Sequence, residues 1–315
     1  MPFVTAFYRA LGTGMVISVD SPIDDKVRSA MESLIEDYEH VLSRFRNDSL
    51  IAAIGKAEHG GSFDFPDWCA PLFDLYDALF SATSGAIDPC VGEDLIRLGY
   101  DASLSFTVTQ DAPEHLGALR GRAFWGRDVT RHGTTLVTHE PVQLDFGACG
   151  KGYLVDLLGR MLQSSQFVID AGGDLLIHAE QPISVALEDP EDQSHAIGIA
   201  HIANGALCAS APSRRHWNVA VNERTQIAIH HLLNAIDGLP AQQTEASWAY
   251  VPANATLNLA RDYPTAVADG LATALFVSDV AQLQRTFDFT YATLDESRQI
   301  AVSRNFPADL FLRSA

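Results

Sequence analysis

FVIDAGGDLLIHAEQPISVALEDPEDQSHAIGIAHI, residues 167–202, is the stretch that decides the fold class. It holds four short apolar segments, each ended by Gly, Pro or polar residues, which is typical of β-strands. Similar segments before and after it are TTLVTHE, VQLDF, WNVAVN, QIAIHH and SWAYVP. Because strands in succession with few helices between them characterise α+β proteins, we expect mixed or antiparallel sheets with packed helices, not a doubly wound parallel sheet.

Helical spacing appears on both sides of these strands. An alternating strand at 14–20 is followed by Ser21 and Pro22, which match a helix cap and first turn, and then by apolar residues on one helical face. Three further helices are predicted at 67–83, 150–163 and 265–277, and residues 101–133 predict loops with short elements. Since no Gly/Ser linker or charge run divides the chain, we expect one domain over residues 1–315.

Charge excludes some classes of partner. The 315 residues include 21 Lys and Arg against 40 Asp and Glu, which gives a formal charge of −19. Nucleic-acid binders depend on a basic face that neutralises phosphates, so a general nucleic-acid binder is not expected. Any phosphate-bearing substrate must be met by a cation supplied locally.

The cysteines and the start of the chain indicate neither a zinc site nor export. The four cysteines lie far apart and fit isolated buried thiols: Cys69, Cys90, Cys149 and Cys208. The first twenty residues lack a signal-peptide pattern, and no stretch reaches the roughly 18 apolar residues of a membrane span. We therefore expect a cytoplasmic protein without a membrane span, or a periplasmic one if a leader has been removed.

A glycine-rich stretch, LDFGACGKGYLVDLL at 144–158, combines a strand end, glycines and a helix start near Lys151. Exposed amides at a helix start together with an ammonium group favour phosphate binding. An ordinary strand-to-helix turn with a solvated Lys has the same pattern, since this is neither a GxxxxGK[ST] nor a GxGxxG motif. The residues alone leave both interpretations open.

Three weaker signals follow. Asp269 and Thr273 lie four residues apart on a predicted helix and present hard oxygen donors suited to Mg²⁺, although they also fit unrelated surface residues. His231 ends a predicted strand, where an imidazole could transfer protons or be merely structural. Gly172 and Gly173 fit either a tight hairpin turn or close approach of a planar ligand.

The order of these motifs resembles the ApbE family, the FAD:protein FMN transferases, over about residues 8 to 280. The matching pieces are GT (12–13), LSRFRNDS (42–49), TSGAIDPCVG (83–92), LDFGACGKGYLVD (144–156), IDAGGD (169–174), HLLNAIDG (231–238) and ADGLAT (268–273). The resemblance implies a T-fold-like α+β architecture and transfer of FMN from FAD to a Ser or Thr hydroxyl of an acceptor flavoprotein, with release of AMP. The alternatives are hydrolysis of FAD to FMN and AMP, or a catalytically weakened FAD-binding protein.

The resemblance also implies roles for individual residues. A divalent cation, usually Mg²⁺, would be bound by Asp269, Thr273 and the backbone carbonyl of Gly150. Lys151 would support the phosphates or a nearby carboxylate, and His231 would transfer a proton or contact phosphate. Residues implied to contact FAD are Asp88, Ala148, Gly150, Lys151, Gly152, Gly172, Gly173, Asp174 and Ser210.

The chain departs from the family pattern at three places. HIIDPxTG is replaced by HLLNAIDG, which puts Ala235 and Asp237 in place of Pro and Thr. We expect the turn to be looser without the proline. The family's TSG is replaced by Ala209, Ser210 and Ala211. The family's LWGF is replaced by RLGY, which ends at Tyr100, so we expect the aromatic contact of that tryptophan to be missing. Since the proposed metal ligands are intact, we expect an active but divergent enzyme.

Overall fold

The computed structural model describes residues 1–222 and 225–311 of the chain. The helices in these ranges are α1 (Asp25–Leu42), α2 (Leu50–Lys56), α3 (Ala70–Ala82), α4 (Gly92–Arg97), α5 (Ala112–His115), α6 (Gly150–Gly159), α7 (Asn258–Asp262), α8 (Pro264–Ala274) and α9 (Val280–Leu283). The strands are β1 (Phe3–Ala10), β2 (Thr13–Val19), β3 (Gly61–Asp64), β4 (Val129–His132), β5 (Thr135–Thr138), β6 (Phe167–Asp170), β7 (Asp174–Glu188), β8 (Ala196–Ser210), β9 (His216–Asn222), β10 (Thr225–His230), β11 (Leu233–Asn234), β12 (Leu239–Pro240), β13 (Thr244–Pro252), β14 (Thr290–Asp295), β15 (Ile300–Val302) and β16 (Ala308–Leu310).

One large antiparallel sheet organises the molecule. Its strands follow the order β1-β2-β6-β7-β8-β13-β14-β15, and β16 pairs with β8 as well. The pairing of β2 with β6 places Ile17 opposite Ile169, so the start of the chain is joined to its middle. A small sheet, β3-β5-β4, and two hairpins, β9-β10 and β11-β12, lie outside it. This arrangement confirms the predicted α+β class with antiparallel sheets.

Helices cover one face of the large sheet. Helices α1, α3, α6 and α8 pack with their apolar sides against it, and the core between them includes Met31, Leu79, Leu154 and Leu271. Side chains on the other face form a second apolar cluster around Leu187, Ile202, Trp248 and Leu294. Every helix of the described residues is too short or too polar to cross a lipid bilayer.

Two sequence predictions need correction. Helix α1 begins at Asp25 instead of Pro22, because Asp24 is the residue whose side chain caps it, accepting a hydrogen bond from the Lys26 amide. The VQLDF segment, 142–146, is not a strand, although its apolar residues alternate and are buried. Its Asp145 amide donates to the Pro89 carbonyl, so the segment lies against a 3₁₀ turn and forms no ladder.

The remaining predicted elements are present with small shifts. The segments DLLIHA and ISVALED form one strand, β7, with an irregular register between His178 and Ile183, where Pro182 interrupts the pairing with β8. The helix at 67–83 consists of a 3₁₀ turn, Asp67–Cys69, that continues into α3. Helices α6 and α8 begin at Gly150 and Pro264, as the sequence indicated.

Candidate functional site

Lys151 lies between two buried carboxylates at the helix side of the sheet. Its Nζ is 2.7 Å from Asp174 Oδ2 and 3.0 Å from Asp269 Oδ1. Lys151 belongs to the first turn of α6, Asp174 begins β7, and Asp269 lies in the middle of α8. Three separate elements therefore contribute one charged group each to this cluster, which we call the Lys151 cluster.

The Lys151 cluster carries an excess of negative charge. Burial disfavours the ammonium form of Lys151, but the two carboxylates outweigh this effect and raise its pKa. Burial and the nearby Asp174 carboxylate raise the pKa of Asp269 to about 7. With both carboxylates ionised, one ammonium faces two negative charges, so the cluster favours a further cation.

Close packing of α6 on α8 brings Lys151 to Asp269. A Cβ at Gly152 would lie 2.3 Å from the backbone oxygen of Thr265, so only glycine permits this approach. The Gly152 amide in turn donates to Asp269 Oδ2 at 3.0 Å. Asp156, one turn further along α6, accepts hydrogen bonds from the Thr265 and Ala266 amides and so caps the start of α8.

Asp156 has a structural role, the capping of α8, that the sequence did not predict. It is buried, and this desolvation raises its pKa to about 7. It is the last residue of the LDFGACGKGYLVD stretch (144–156), and its spacing from Lys151 was the available signal. A carboxylate one to two turns after a glycine-rich turn can cap a neighbouring helix as well as contact a ligand.

Neutral oxygens surround the same end of the cluster. The Thr273 hydroxyl lies 3.5 Å from the Ser210 hydroxyl and 3.4 Å from the Ala148 carbonyl. The Gly150 carbonyl accepts a hydrogen bond of 2.7 Å from the Tyr38 hydroxyl. Tyr38 is a buried residue of α1 that the sequence did not identify.

These donors fit a hard divalent cation. Asp174 Oδ1 is buried without a hydrogen-bond donor, and carboxylate, hydroxyl and carbonyl oxygens are the ligands that Mg²⁺ accepts. In the described ranges, no three His, Cys, Asp or Glu side chains come together in a metal-binding group.

His231 is held by a backbone carbonyl beyond the end of β10. Its Nδ1 lies 3.2 Å from the Arg215 carbonyl, which can only accept, so Nδ1 carries the proton and Nε2 is left with a free lone pair. Burial, with smaller contributions from the charges of His230, Lys151 and Arg215, lowers the pKa of His231 to about 4. The imidazole is therefore neutral at pH 7, and those charges place it in the field of the Lys151 cluster.

A model of the ApbE family matches residues 11–293 of this sequence. The chain belongs to the ApbE family. It is 27% identical over 286 residues to the FAD:protein FMN transferase of Treponema pallidum (strain Nichols), covering 80% of this chain and 72% of that protein. It is 23% identical over 283 residues to the FAD:protein FMN transferase of Klebsiella pneumoniae (strain 342), covering 83% and 74%.

Solved ApbE structures have the same fold. The ApbE protein of Thermotoga maritima MSB8 superposes with a TM-score of 0.78 at 19% identity, covering 98% of this chain and 99% of that one. The flavin transferase ApbE of Vibrio cholerae superposes with a TM-score of 0.76 at 17% identity, covering 96% and 97%.

The turn that lacks the ApbE proline is not loose, contrary to our expectation. The Ala235 amide donates to the Ala86 carbonyl at 3.1 Å, a hydrogen bond that proline could not make. The Ala235 carbonyl accepts from Arg122 Nη2 at 2.6 Å. Asp237, which replaces the ApbE threonine, accepts from the Leu239 amide at 2.9 Å. Backbone hydrogen bonds thus compensate for the missing proline, and Asp237 stabilises a turn.

Asp88 is buried in an ion pair with Arg122. The Arg122 side chain is fully buried between Asp94, at 2.8 Å, and Asp88, at 3.5 Å. Asp88 also accepts from the Cys90 amide. Its carboxylate is enclosed, so a direct contact of Asp88 with FAD, implied by the resemblance, would require this ion pair to open.

An aromatic side chain occupies the region where the ApbE LWGF motif is altered. Tyr100 stacks on Trp217 with ring centroids 5.8 Å apart. The Trp217 indole also donates to the Leu98 carbonyl, at the position where the family has Trp. The expected loss of an aromatic contact is thus offset by a residue from β9.

Gly172 and Gly173 form the turn between β6 and β7. Their φ angles are 68° and 105°, in the region that favours glycine. The Ala171 amide donates to the Asp174 carbonyl at 3.0 Å and closes the hairpin. The turn places Asp174 at the start of β7, where it reaches Lys151.

Proposed function

We propose that this protein is an FAD:protein FMN transferase, which moves FMN from FAD to a Ser or Thr hydroxyl of an acceptor flavoprotein and releases AMP. The Lys151 cluster is the observation that carries this proposal. In a chain of the ApbE family, it joins the motif lysine to the Asp269 and Thr273 pair across three separate elements. Relatives from two bacteria named for this activity support the same reaction class.

We further propose that Asp269, Thr273 and the Gly150 carbonyl hold a divalent cation, with Mg²⁺ as the first candidate. The negative charge of the Lys151 cluster and its oxygen donors support this. When bound, the cation would neutralise charge that develops on the transferred phosphorus and on AMP. Lys151 offsets the repulsion between Asp269 and Asp174 and orients both, because its ammonium contacts both carboxylates.

The proposed proton acceptor is His231. In the reaction the acceptor hydroxyl oxygen forms a bond to the FMN phosphorus, the bond from that phosphorus to the AMP oxygen breaks, and AMP leaves with the electron pair. The hydroxyl proton must move to a base. Nε2 of neutral His231 has a free lone pair, since Nδ1 is occupied by the Arg215 carbonyl.

The FAD cleft is proposed to lie along the glycine turns beside the cluster. The residues proposed to contact FAD are Ala148, Gly150, Lys151, Gly152, Gly172, Gly173, Asp174 and Ser210. Small residues at these turns let a ligand approach the backbone amides, and the start of α6 favours an anion.

Incubation with FAD, Mg²⁺ and an acceptor flavoprotein domain tests the function. Mass spectrometry should find one FMN added to a Ser or Thr of the acceptor, with equimolar AMP released. Asp269→Asn should abolish both products. The matched control is Asp309→Asn, because the Asp309 side chain is 85% exposed on β16, and this variant should keep full transfer. Release of free FMN and AMP with no labelled acceptor would reject transfer in favour of FAD hydrolysis.

Metal binding is tested without turnover. Binding of Mn²⁺ to the protein in the absence of FAD can be followed by electron paramagnetic resonance. We expect Asp269→Asn and Thr273→Val to weaken it at least tenfold, whereas Asp309→Asn should leave it unchanged. Equal Mn²⁺ binding by all of these proteins would contradict the proposed ligands.

A further inference from the structure

The charge of the Lys151 cluster leaves Lys151 itself unable to neutralise a substrate diphosphate. Lys151 is engaged by Asp174 and Asp269, and the sequence carries a formal charge of −19. A divalent cation offsets part of this charge. A diphosphate nevertheless carries two negative charges, and a protein of this acidity must supply a further positive group close to the site.

Arg215 lies where such a group is needed. It follows the 3₁₀ turn Pro212–Arg214 at the end of β8, and its backbone carbonyl is the group that holds His231. Its Nη2 donates to the Gly12 carbonyl at 3.3 Å. Its guanidinium carbon lies 5.9 Å from the centre of the Tyr100 ring. Arg215 thus joins the GT turn at 12–13, the aromatic residue and the proposed base.

The side chain of Arg215 is exposed and available for an anion. Among the described residues, no Asp or Glu lies within ion-pair distance of it, whereas the adjacent Arg214 pairs with Glu188 at 2.9 Å. The turn at 12–13 that Arg215 contacts lies against Gly172, where an added Cβ would lie 2.8 Å from Thr13 Oγ1, and the Gly172 turn leads into Asp174 of the Lys151 cluster. One hydrogen bond to a carbonyl leaves most of the five guanidinium N–H donors unused.

We infer that the Arg215 guanidinium binds the diphosphate of FAD, next to His231. This inference rests on the proposed function, because it assigns a ligand to the site of that reaction. A guanidinium can donate two parallel hydrogen bonds to phosphate oxygens, which a Lys ammonium cannot do. The Gly12 carbonyl holds the side chain in place before the ligand arrives.

Binding of FAD to the full-length protein tests the inference. Flavin fluorescence titrations at 50 and 300 mM salt compare the wild type with Arg215→Gln, Arg215→Lys and Arg214→Gln. Arg214→Gln removes the same charge from the neighbouring position and is the matched control. We expect Arg215→Gln to weaken FAD binding about tenfold at 50 mM salt, with a shallower salt dependence. Arg215→Lys should retain the salt dependence but bind about threefold more weakly.

The outcomes separate the inference from the proposed function. An unchanged FAD affinity in Arg215→Gln, the same loss in Arg214→Gln, or a loss with an unaltered salt dependence would each overturn the role of Arg215. FAD binding by the wild type without labelling of an acceptor would reject transfer but leave the role of Arg215 standing. No FAD binding by the wild type would reject the proposed function and the inference with it.

Discussion

Replacing Gly152 by alanine tests how the Lys151 cluster is assembled. The added Cβ would lie 2.3 Å from the Thr265 oxygen and 2.6 Å from the Thr265 carbonyl carbon, both of which belong to the backbone of α8. Helix α8 is buried along most of its length and has little room to move away. We therefore expect the variant to push α6 and α8 apart.

Two effects of opposite sign decide how much Gly152→Ala changes the free energy of unfolding. Alanine in place of glycine favours a helix by up to about 1 kcal/mol. Overpacking against backbone costs about 1–3 kcal/mol or more. Separation of the helices would also weaken the Asp156 cap and the hydrogen bond from the Gly152 amide to Asp269, at about 1 kcal/mol each. The net expectation is a loss of about 2–4 kcal/mol in the free energy of unfolding.

Urea unfolding followed by circular dichroism measures this loss, and FAD titration reports on the site. The control is Gly159→Ala in the same helix, where the one close contact of the added Cβ, at 2.8 Å, is with the end of the Leu176 side chain, and Ile169 and Phe167 lie at the ordinary contact distances of 3.7 and 3.9 Å. A side-chain tip can rotate away, so we expect a change within about 1 kcal/mol there. A Gly152→Ala protein as stable as the wild type, with unchanged FAD affinity, would refute the role of close helix packing.

Three further predictions concern single side chains. The pKa of Asp156 in the folded protein is raised to about 7, so its contribution to stability is present at low pH and is lost as pH rises. In the wild type this should lower the free energy of unfolding by about 3 kcal/mol between pH 5 and 8. Asp156→Asn should remove that decline, measured by urea unfolding. An identical pH profile in both proteins would contradict this. Ala235→Pro should destabilise the protein by about 1 kcal/mol in the same assay, because it deletes the hydrogen bond to Ala86; a gain in stability would indicate that the family proline suits this turn. His231→Asn should lower the rate of acceptor labelling about 100-fold with FAD affinity within threefold of the wild type, whereas His195→Asn, an exposed control, should change neither.

The fold could be predicted from the sequence where a pattern is local. Alternating apolar residues located most strands, and the helix predicted at 265–277 placed Asp269 and Thr273, four residues apart, on α8. Patterning failed at VQLDF, because alternation reports which side chains are buried and not whether the backbone has a partner strand. The extent of one domain over residues 1–315 stays a prediction.

The site could be predicted only in part. Motif order pointed to Lys151 and Asp269, but not to their contact with Asp174, which depends on where β7 begins. Arg122 and Arg215 gave no signal of their own, since an isolated arginine has no periodicity and its partners lie far along the chain. Buried Arg122, for example, contacts Ala235, which lies 113 residues later.

The pairing of β2 with β6 sets an order of events during synthesis. Strand β2 can pair with β1 at once, but its second neighbour, β6, is present only when residues about 150 positions later have been made, on the order of 10–30 seconds at typical translation rates. Lys151 likewise contacts Asp269 only after a further 118 residues have been made. In a nascent chain the β1-β2 hairpin therefore leaves the β6-facing edge of β2, Thr13–Val19, unpaired until β6 has been made, and an unpaired strand edge is prone to pair with other chains.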